Sequence, residues 1–161
     1  LTGLWLAVYA PERFLKIVVA NTAAKIGTKE GWQSRAAAVR EQGLAELAKS
    51  APQRWFTPGF IRKHAALVEQ LTDTLAEQDK EGYAACCDAL AEADLRADLS
   101  RIQLPLLVIA GSADPVTTVA DAEAIVQACP SASLVSLKAS HISNLEQPAA
   151  FNRALSQFLR A

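Results

Sequence analysis

Asp114 and His141 are the two residues of this chain whose types and positions suit acid–base chemistry. Asp114 stands just past an apolar run, residues 104–110, and His141 stands just past a second apolar run, residues 134–137. If both runs are parallel strands, their carboxyl ends meet at the edge of the sheet where ligands bind in open α/β folds. A carboxylate that accepts a hydrogen bond from one imidazole nitrogen fixes the tautomer and leaves the other nitrogen free to take a proton from a nucleophile.

Each of these residues also has a purely structural interpretation. An aspartate before proline in a glycine-containing turn commonly caps nearby backbone amides, and a loop histidine can be satisfied by backbone groups. The combination favours chemistry, because the chain has only two histidines and one of them follows the strand next after the one that precedes Asp114.

The residues alone do not supply a nucleophile. The chain has no Gly-x-Ser-x-Gly motif, the strand-to-helix elbow that exposes a nucleophilic serine. Ser140 and Ser143 flank His141 but do not sit on such an elbow, and Ser112 lies in the aspartate turn itself. Cys86 and Cys87 lie on a predicted helix face and are expected in the core.

Hydrophobic patterning predicts the elements that position this pair. We expect strands at residues 14–20, 104–110 and 134–137 and helices at residues 1–9, 119–129 and 148–159, with a long helical section after the first strand. The pattern predicts an α/β architecture of three adjacent parallel strands with flanking helices and an inserted all-helical lid. The predicted division is a core segment at 1–26, a lid at 27–102 and a second core segment, carrying Asp114 and His141, at 103–161.

Composition narrows the class of protein. The chain has 161 residues and a formal net charge of -1, without a basic run that would indicate nucleic-acid binding and without an apolar stretch long enough to cross a membrane. Three cysteines without a C-x-x-C motif argue against a disulfide framework or a zinc site and for a cytoplasmic protein. Because the chain lacks methionine and opens within an apolar helical pattern, we expect further residues, including strands of the sheet, before Leu1.

Several segments together resemble 3-oxoadipate enol-lactonases, which are α/β-hydrolases of the β-ketoadipate pathway of aromatic catabolism. The strand and aspartate turn at 106–117 and the histidine loop at 140–148 are similar to those of the superfamily at large. The narrower similarities cover the first residues, the end of the first strand, the helical section and the histidine run, at 1–7, 19–24, 54–58, 83–88, 93–96 and 141–148.

The resemblance implies a Ser-His-Asp mechanism that hydrolyses an enol-lactone, with no metal and no organic cofactor. Residues 1–7 match what directly follows the nucleophile elbow in that family, so the serine is expected a few residues before Leu1, and the chain alone is expected to be inactive. It would be the C-terminal part of the enzyme, with a small-molecule lactone and the missing N-terminal part as its partners and no nucleic acid or membrane. Direct attack by water, promoted by the histidine without an acyl-enzyme, stays open as an alternative.

The lactone carries a free carboxylate, for which we expect Arg54 and Trp55 to be the substrate-binding residues. Arginine can hold a carboxylate through two hydrogen bonds, and an indole N–H donates one. The alternative is that Trp55 packs in the core of the lid and Arg54 is a solvated surface charge.

Two other functions remain open from the sequence. The chain could belong to another lidded α/β-hydrolase, such as a C–C bond hydrolase or a haloperoxidase-like esterase, because the aspartate and histidine positions do not separate these enzymes. If the chain is complete, the absence of a nucleophile would instead make it a non-catalytic partner module.

Overall fold

Three parallel strands form the sheet, in the order β1 (Ile17–Ala20), β2 (Leu106–Gly111) and β3 (Ala132–Leu137). The computed structural model describes all 161 residues. The prediction of three adjacent parallel strands is confirmed. The first strand begins later than predicted, since Leu15 is 90% exposed and lies outside the sheet.

The ten helices follow in chain order. They are α1 (Thr2–Tyr9), α2 (Lys29–Gln42), α3 (Ala45–Lys49), α4 (Pro52–Trp55), α5 (Pro58–Lys63), α6 (Ala65–Ala76), α7 (Lys80–Glu92), α8 (Val119–Ala128), α9 (Ser143–Glu146) and α10 (Pro148–Arg160), with short 3-10 turns at Pro11–Arg13 and Leu99–Arg101. None of these helices combines the length and the apolarity that crossing a membrane requires.

The chain folds into two compact units, residues 1–25 with 94–161, and residues 26–93. The first unit contains the whole sheet, and the second contains α2 to α7. The predicted all-helical insertion after the first strand is therefore confirmed. The division of the chain into core and lid at 1–26, 27–102 and 103–161 stays a prediction.

The central strand β2 is buried on both faces of the sheet, as expected for a strand in a parallel sheet. Its alternate residues Leu106 and Val108 belong to an apolar cluster that includes residues of α1 and α8. The intervening residues Leu107 and Ile109 belong to a second cluster that includes residues of α10. Because successive side chains of a strand point to opposite faces, one apolar run accounts for the packing of helices on both sides.

The helical unit is built mainly on the contact between α2 and α7. Its buried centre contains Ala36 on α2 and Ala84 and Cys87 on α7, all small side chains. The two helices begin at capping residues: the side chains of Thr28 and Asp79 each accept a hydrogen bond from a backbone N–H in the first turn. The sequence thus fixes where these helices start as well as which faces meet.

The turn after β2 lies against the loop after β3. Ser112 N–H donates to the carbonyl of Leu137 at 2.8 Å, and Ala113 N–H donates to the carbonyl of Ala139 at 2.9 Å. A Cβ atom added at Gly111 would lie 2.3 Å from the carbonyl oxygen of Ser140. This close approach leaves room for no side chain other than hydrogen at the end of β2.

We expect the substitution Gly111→Ala to lower the free energy of unfolding by about 1–3 kcal/mol, because backbone must move to admit the methyl group. Urea unfolding followed by circular dichroism measures the change. Gly59→Ala is the control, since a Cβ at Gly59 meets nothing within 4 Å. Equal stabilities of the two variants would show that the loop after β3 adjusts freely.

Candidate active site

The structure brings Asp114 and His141 together at the carboxyl end of the sheet. The Nδ1 atom of His141 lies 2.8 Å from Oδ2 of Asp114. The Asp114 side chain is fully buried, whereas 27% of the His141 side chain is exposed. The arrangement allows Nδ1–H to donate to the carboxylate and leaves Nε2 as a proton acceptor.

Both oxygens of the Asp114 carboxylate accept several hydrogen bonds. Oδ1 accepts from the backbone N–H of Val116 at 2.8 Å and of Thr117 at 3.1 Å. Oδ2 accepts from the Thr117 hydroxyl at 2.9 Å and from Nδ2 of Asn21 at 3.0 Å, in addition to its contact with His141. Oδ1 therefore caps backbone amides, as in the structural interpretation of Asp114, and Oδ2 contacts His141, as in the acid–base interpretation.

These contacts determine the charge of Asp114. Burial is the largest single effect and raises the pKa, because a buried carboxyl group favours its neutral form. The hydrogen bonds from His141, Asn21, Thr117 and Val116 together outweigh burial and lower the pKa from 3.8 to about 2. The carboxylate is therefore ionised at neutral pH and able to stabilise a protonated imidazole.

The loop that carries His141 is held on both sides of the histidine. Ser140 N–H donates to Oε2 of Glu146 at 2.8 Å, and the Ser140 hydroxyl donates to the carbonyl of Ala113 at 3.3 Å. Ser143 is completely buried, and its hydroxyl donates to Oδ1 of Asn21. Neither serine beside His141 is placed as an exposed nucleophile.

Asn21 is the residue of this site that the sequence analysis missed. The available signal was its position, since Asn21 directly follows β1, Asp114 stands three residues after β2, and the carboxyl ends of parallel strands meet at one edge.

Arg54 and Trp55 are adjacent in α4 of the helical unit. Both are half-buried, and their role in binding a carboxylate stays a prediction. Nη1 of Arg54 donates to the Ser50 hydroxyl at 3.0 Å. The ring of Trp55 makes an edge-to-face contact with Phe56, with the ring centroids 6.5 Å apart, and Phe56 is the residue of this segment that is fully buried.

Arg54 and the two adjacent cysteines of α7 concern the charge and reactivity of the helical unit. Burial and the positive charge of Arg35 lower the pKa of Arg54, opposed by Tyr83. Cys87 is buried, and burial raises the pKa of its thiol. The prediction that Cys86 lies in the core is wrong, since Cys86 is exposed on the surface of α7.

Across all 161 residues, no three histidine, cysteine or carboxylate side chains form a group that could hold a metal ion.

Comparison with known proteins identifies the class. No family model matches the chain. The 3-oxoadipate enol-lactonase 2 of Acinetobacter baylyi is 56% identical over 160 residues, and 3-oxoadipate enol-lactonase 1 of the same organism is 46% identical over 161 residues. The match covers 99% and 100% of this chain and 60% of each relative, so the chain spans about 60% of the length of the curated relatives it matches.

A solved structure shows that the similarity extends to the three-dimensional fold. The crystal structure of the enol-lactonase from Burkholderia xenovorans LB400 superposes with a TM-score of 0.96 at 38% identity, covering 99% of this chain and 62% of that one. The chain therefore has an α/β-hydrolase fold, present as three parallel strands with their helices and an inserted helical unit. Within that fold class its sequence is similar along its whole length to the 3-oxoadipate enol-lactonases.

We expect Asp114→Asn to lower the free energy of unfolding by about 2 kcal/mol at neutral pH, because the wild-type carboxylate has a lower pKa in the folded than in the unfolded chain. A depressed carboxyl pKa stabilises the fold above the unfolded value of 3.8, and this contribution is lost as the pH falls through about 2. The difference between the two proteins should shrink over that range in urea unfolding curves.

Glu123→Gln is the control for the change in net charge, because Glu123 is exposed on α8. A constant difference between wild type and Asp114→Asn from neutral pH down to about pH 3 would contradict the assignment of an ionised, stabilising Asp114.

Proposed function

We propose that this chain is the C-terminal part of a serine hydrolase that opens 3-oxoadipate enol-lactone to 3-oxoadipate. The observation that carries the proposal is the contact between His141 Nδ1 and Asp114 Oδ2 in a chain 56% identical to a 3-oxoadipate enol-lactonase. The proposal requires a nucleophile outside these 161 residues, since there is no Gly-x-Ser-x-Gly motif and both serines beside His141 are buried. Residues 1–7 resemble the segment after the nucleophile elbow, which supports a serine just upstream.

The proposed reaction follows from the two residues at the sheet end. Nε2 of His141 takes the proton of the serine as the serine oxygen attacks the lactone carbonyl, and Asp114 stabilises the imidazolium that forms. Backbone amides hold the tetrahedral oxyanion, each contributing roughly 3–4 kcal/mol. The imidazolium of His141 donates this proton to the ring oxygen, which leaves as an enol that tautomerises to the ketone. Neutral His141 then takes a proton from water as the water attacks the acyl group, and returns that proton to the serine oxygen as the carboxylic acid is released.

Arg54 and Trp55 are the residues we propose for the carboxylate of the lactone. Arg54 is half-buried, and the pKa of its guanidinium is lowered by burial and by the positive charge of Arg35. A bound carboxylate would oppose this lowering of the pKa, because its negative charge stabilises the protonated guanidinium. Trp55 provides an indole N–H next to it in the same helix.

The proposal assigns roles to the parts of the chain. Residues 1–26 and 103–161 form the catalytic core, and residues 27–102 form the lid that selects the substrate. The partners are the small-molecule lactone and the preceding part of the same protein, and the reaction takes place in the cytoplasm.

The decisive test uses the longer protein that includes the coding region upstream of Leu1. We expect it to contain a Gly-x-Ser-x-Gly motif and to hydrolyse 3-oxoadipate enol-lactone. The loss of lactone absorbance measures the hydrolysis. His141→Ala should lower kcat by about 10³-fold or more, because the general base is removed. His64→Ala, which removes the other histidine, is the matched control and should retain activity.

Three outcomes would contradict this assignment. The absence of the serine motif upstream would remove the hydrolase mechanism. Turnover of simple aryl esters without turnover of the lactone would favour another lidded hydrolase. Esterase activity of the purified 161-residue chain that disappears with His141→Ala would show that the nucleophile lies within these residues.

For the carboxylate contact, we expect Arg54→Ala to raise KM for the lactone by about 10- to 100-fold and to leave KM for a neutral aryl ester nearly unchanged. The reason is that one charge-assisted contact is worth about 1.5–3 kcal/mol. Arg62→Ala, an exposed arginine of α5, is the matched control. An equal rise in KM for the lactone and for the neutral ester would indicate that Arg54 has a structural role and does not bind the carboxylate.

A further inference from the structure

Asn21 has an unusual backbone conformation at the point where β1 ends. It is the one non-glycine residue with a positive φ, 46°, which asparagine tolerates better than most side chains. Its own N–H donates to the carbonyl of Ile109 at 2.9 Å, so the sheet bonding continues up to this residue. A strained residue that the surrounding structure holds in place at a strand end is a feature that clusters at functional sites.

The side-chain amide of Asn21 contacts three groups of the site. Nδ2 donates to Oδ2 of Asp114 at 3.0 Å and to the carbonyl of Ser140 at 3.1 Å. Oδ1 accepts from the hydroxyl of Ser143 at 2.5 Å. Both amide hydrogens and the amide oxygen are therefore used, and each partner is distant in sequence, by 93, 119 and 122 residues.

These contacts connect the acid to the histidine loop on a path that does not pass through the histidine itself. Ser140 and Ser143 bracket His141, one residue before it and two after it. Asn21 is thus hydrogen-bonded to the carboxylate that accepts from His141 and to the backbone and side chain on either side of His141. Thr117 also donates to Oδ2 of Asp114, but it belongs to the same turn as Asp114.

We propose that Asn21 is a positioning residue that holds the Asp114 carboxylate and the His141 loop in register, so that Nδ1–H stays on the carboxylate and Nε2 faces the reacting group. Its catalytic consequence rests on the proposed function. The hydrogen bond from Asn21 is also among those that lower the pKa of Asp114.

The first test uses the 161-residue chain and needs no activity. Asn21→Gly removes the amide but keeps the positive φ without strain. In long-range proton–nitrogen spectra, we expect neutral wild-type His141 to carry its proton on Nδ1 and the variant to shift toward the Nε2–H form. The carboxyl carbon of Asp114 should titrate about one unit higher than the wild-type value of about 2. Glu146, the other carboxylate of this loop, is followed in the same spectra.

A second variant and a control complete this experiment. Asn21→Asp keeps the size and the acceptor for Ser143 but replaces the donors with a charge that faces Asp114, so it should raise the pKa of Asp114 further. Asn152→Ala, on the exposed side of α10, should leave both signals unchanged. An unchanged tautomer and an unchanged titration in folded Asn21→Gly would overturn the proposal. Failure of both Asn21 variants to fold would overturn it too, by assigning Asn21 to the fold alone.

The second test uses the longer, active protein. Asn21→Gly should lower kcat for the lactone by about 10- to 100-fold with little change in KM, because a misplaced base affects the chemical step and not the binding of the carboxylate. If the longer protein hydrolyses the lactone and the variant keeps its kcat, the role of Asn21 is refuted alone. If the longer protein does not hydrolyse the lactone, the proposed function fails, and the spectra still decide whether Asn21 positions His141.

Discussion

The ionised carboxylate of Asp114 is the constraint on which the site depends. A buried carboxylate without donors would take up a proton, because removing its charge from water costs more than the fold can compensate. Here burial is outweighed by donors from the aspartate turn, from the histidine and from the end of a neighbouring strand. The charge at Asp114 is therefore a property of three segments held together, and the loss of any one of them shifts its pKa upward.

The topology of the sheet is sufficient to bring these three segments together. Parallel pairing in the order β1-β2-β3 places three strand ends side by side, and Asn21, Asp114 and His141 come from the segments that follow these ends. The short distance between the turn after β2 and the loop after β3 is set by backbone hydrogen bonds and by a glycine with no space for a Cβ. Backbone packing therefore brings the turn that carries Asp114 close to the loop that carries His141.

The sequence predicts this site unevenly, for physical reasons. Asp114 and His141 are predictable because strand alternation is a strong local pattern and because acidic and imidazole groups at strand ends are few. Asn21 is not, since its role depends on contacts more than 90 residues away and on a backbone angle that leaves no periodic signal. The strand ends shift for local reasons, as at exposed Leu15, and Cys86 shows that a helical stripe predicts which face is apolar but not which of two adjacent residues is buried.

The two units of the chain carry different kinds of information about function. In the proposed function, the pair Asp114–His141 determines the reaction type, because it would activate a nucleophile whatever ester is bound. In the same proposal, the helical unit bears on the choice of substrate, since the Arg54 guanidinium and a half-buried indole suit a carboxylate and have no part in proton transfer. A substitution in the sheet unit should therefore act on kcat for every substrate, whereas one in the helical unit should separate acidic from neutral esters. The same separation distinguishes an enol-lactonase from an esterase built on an identical core.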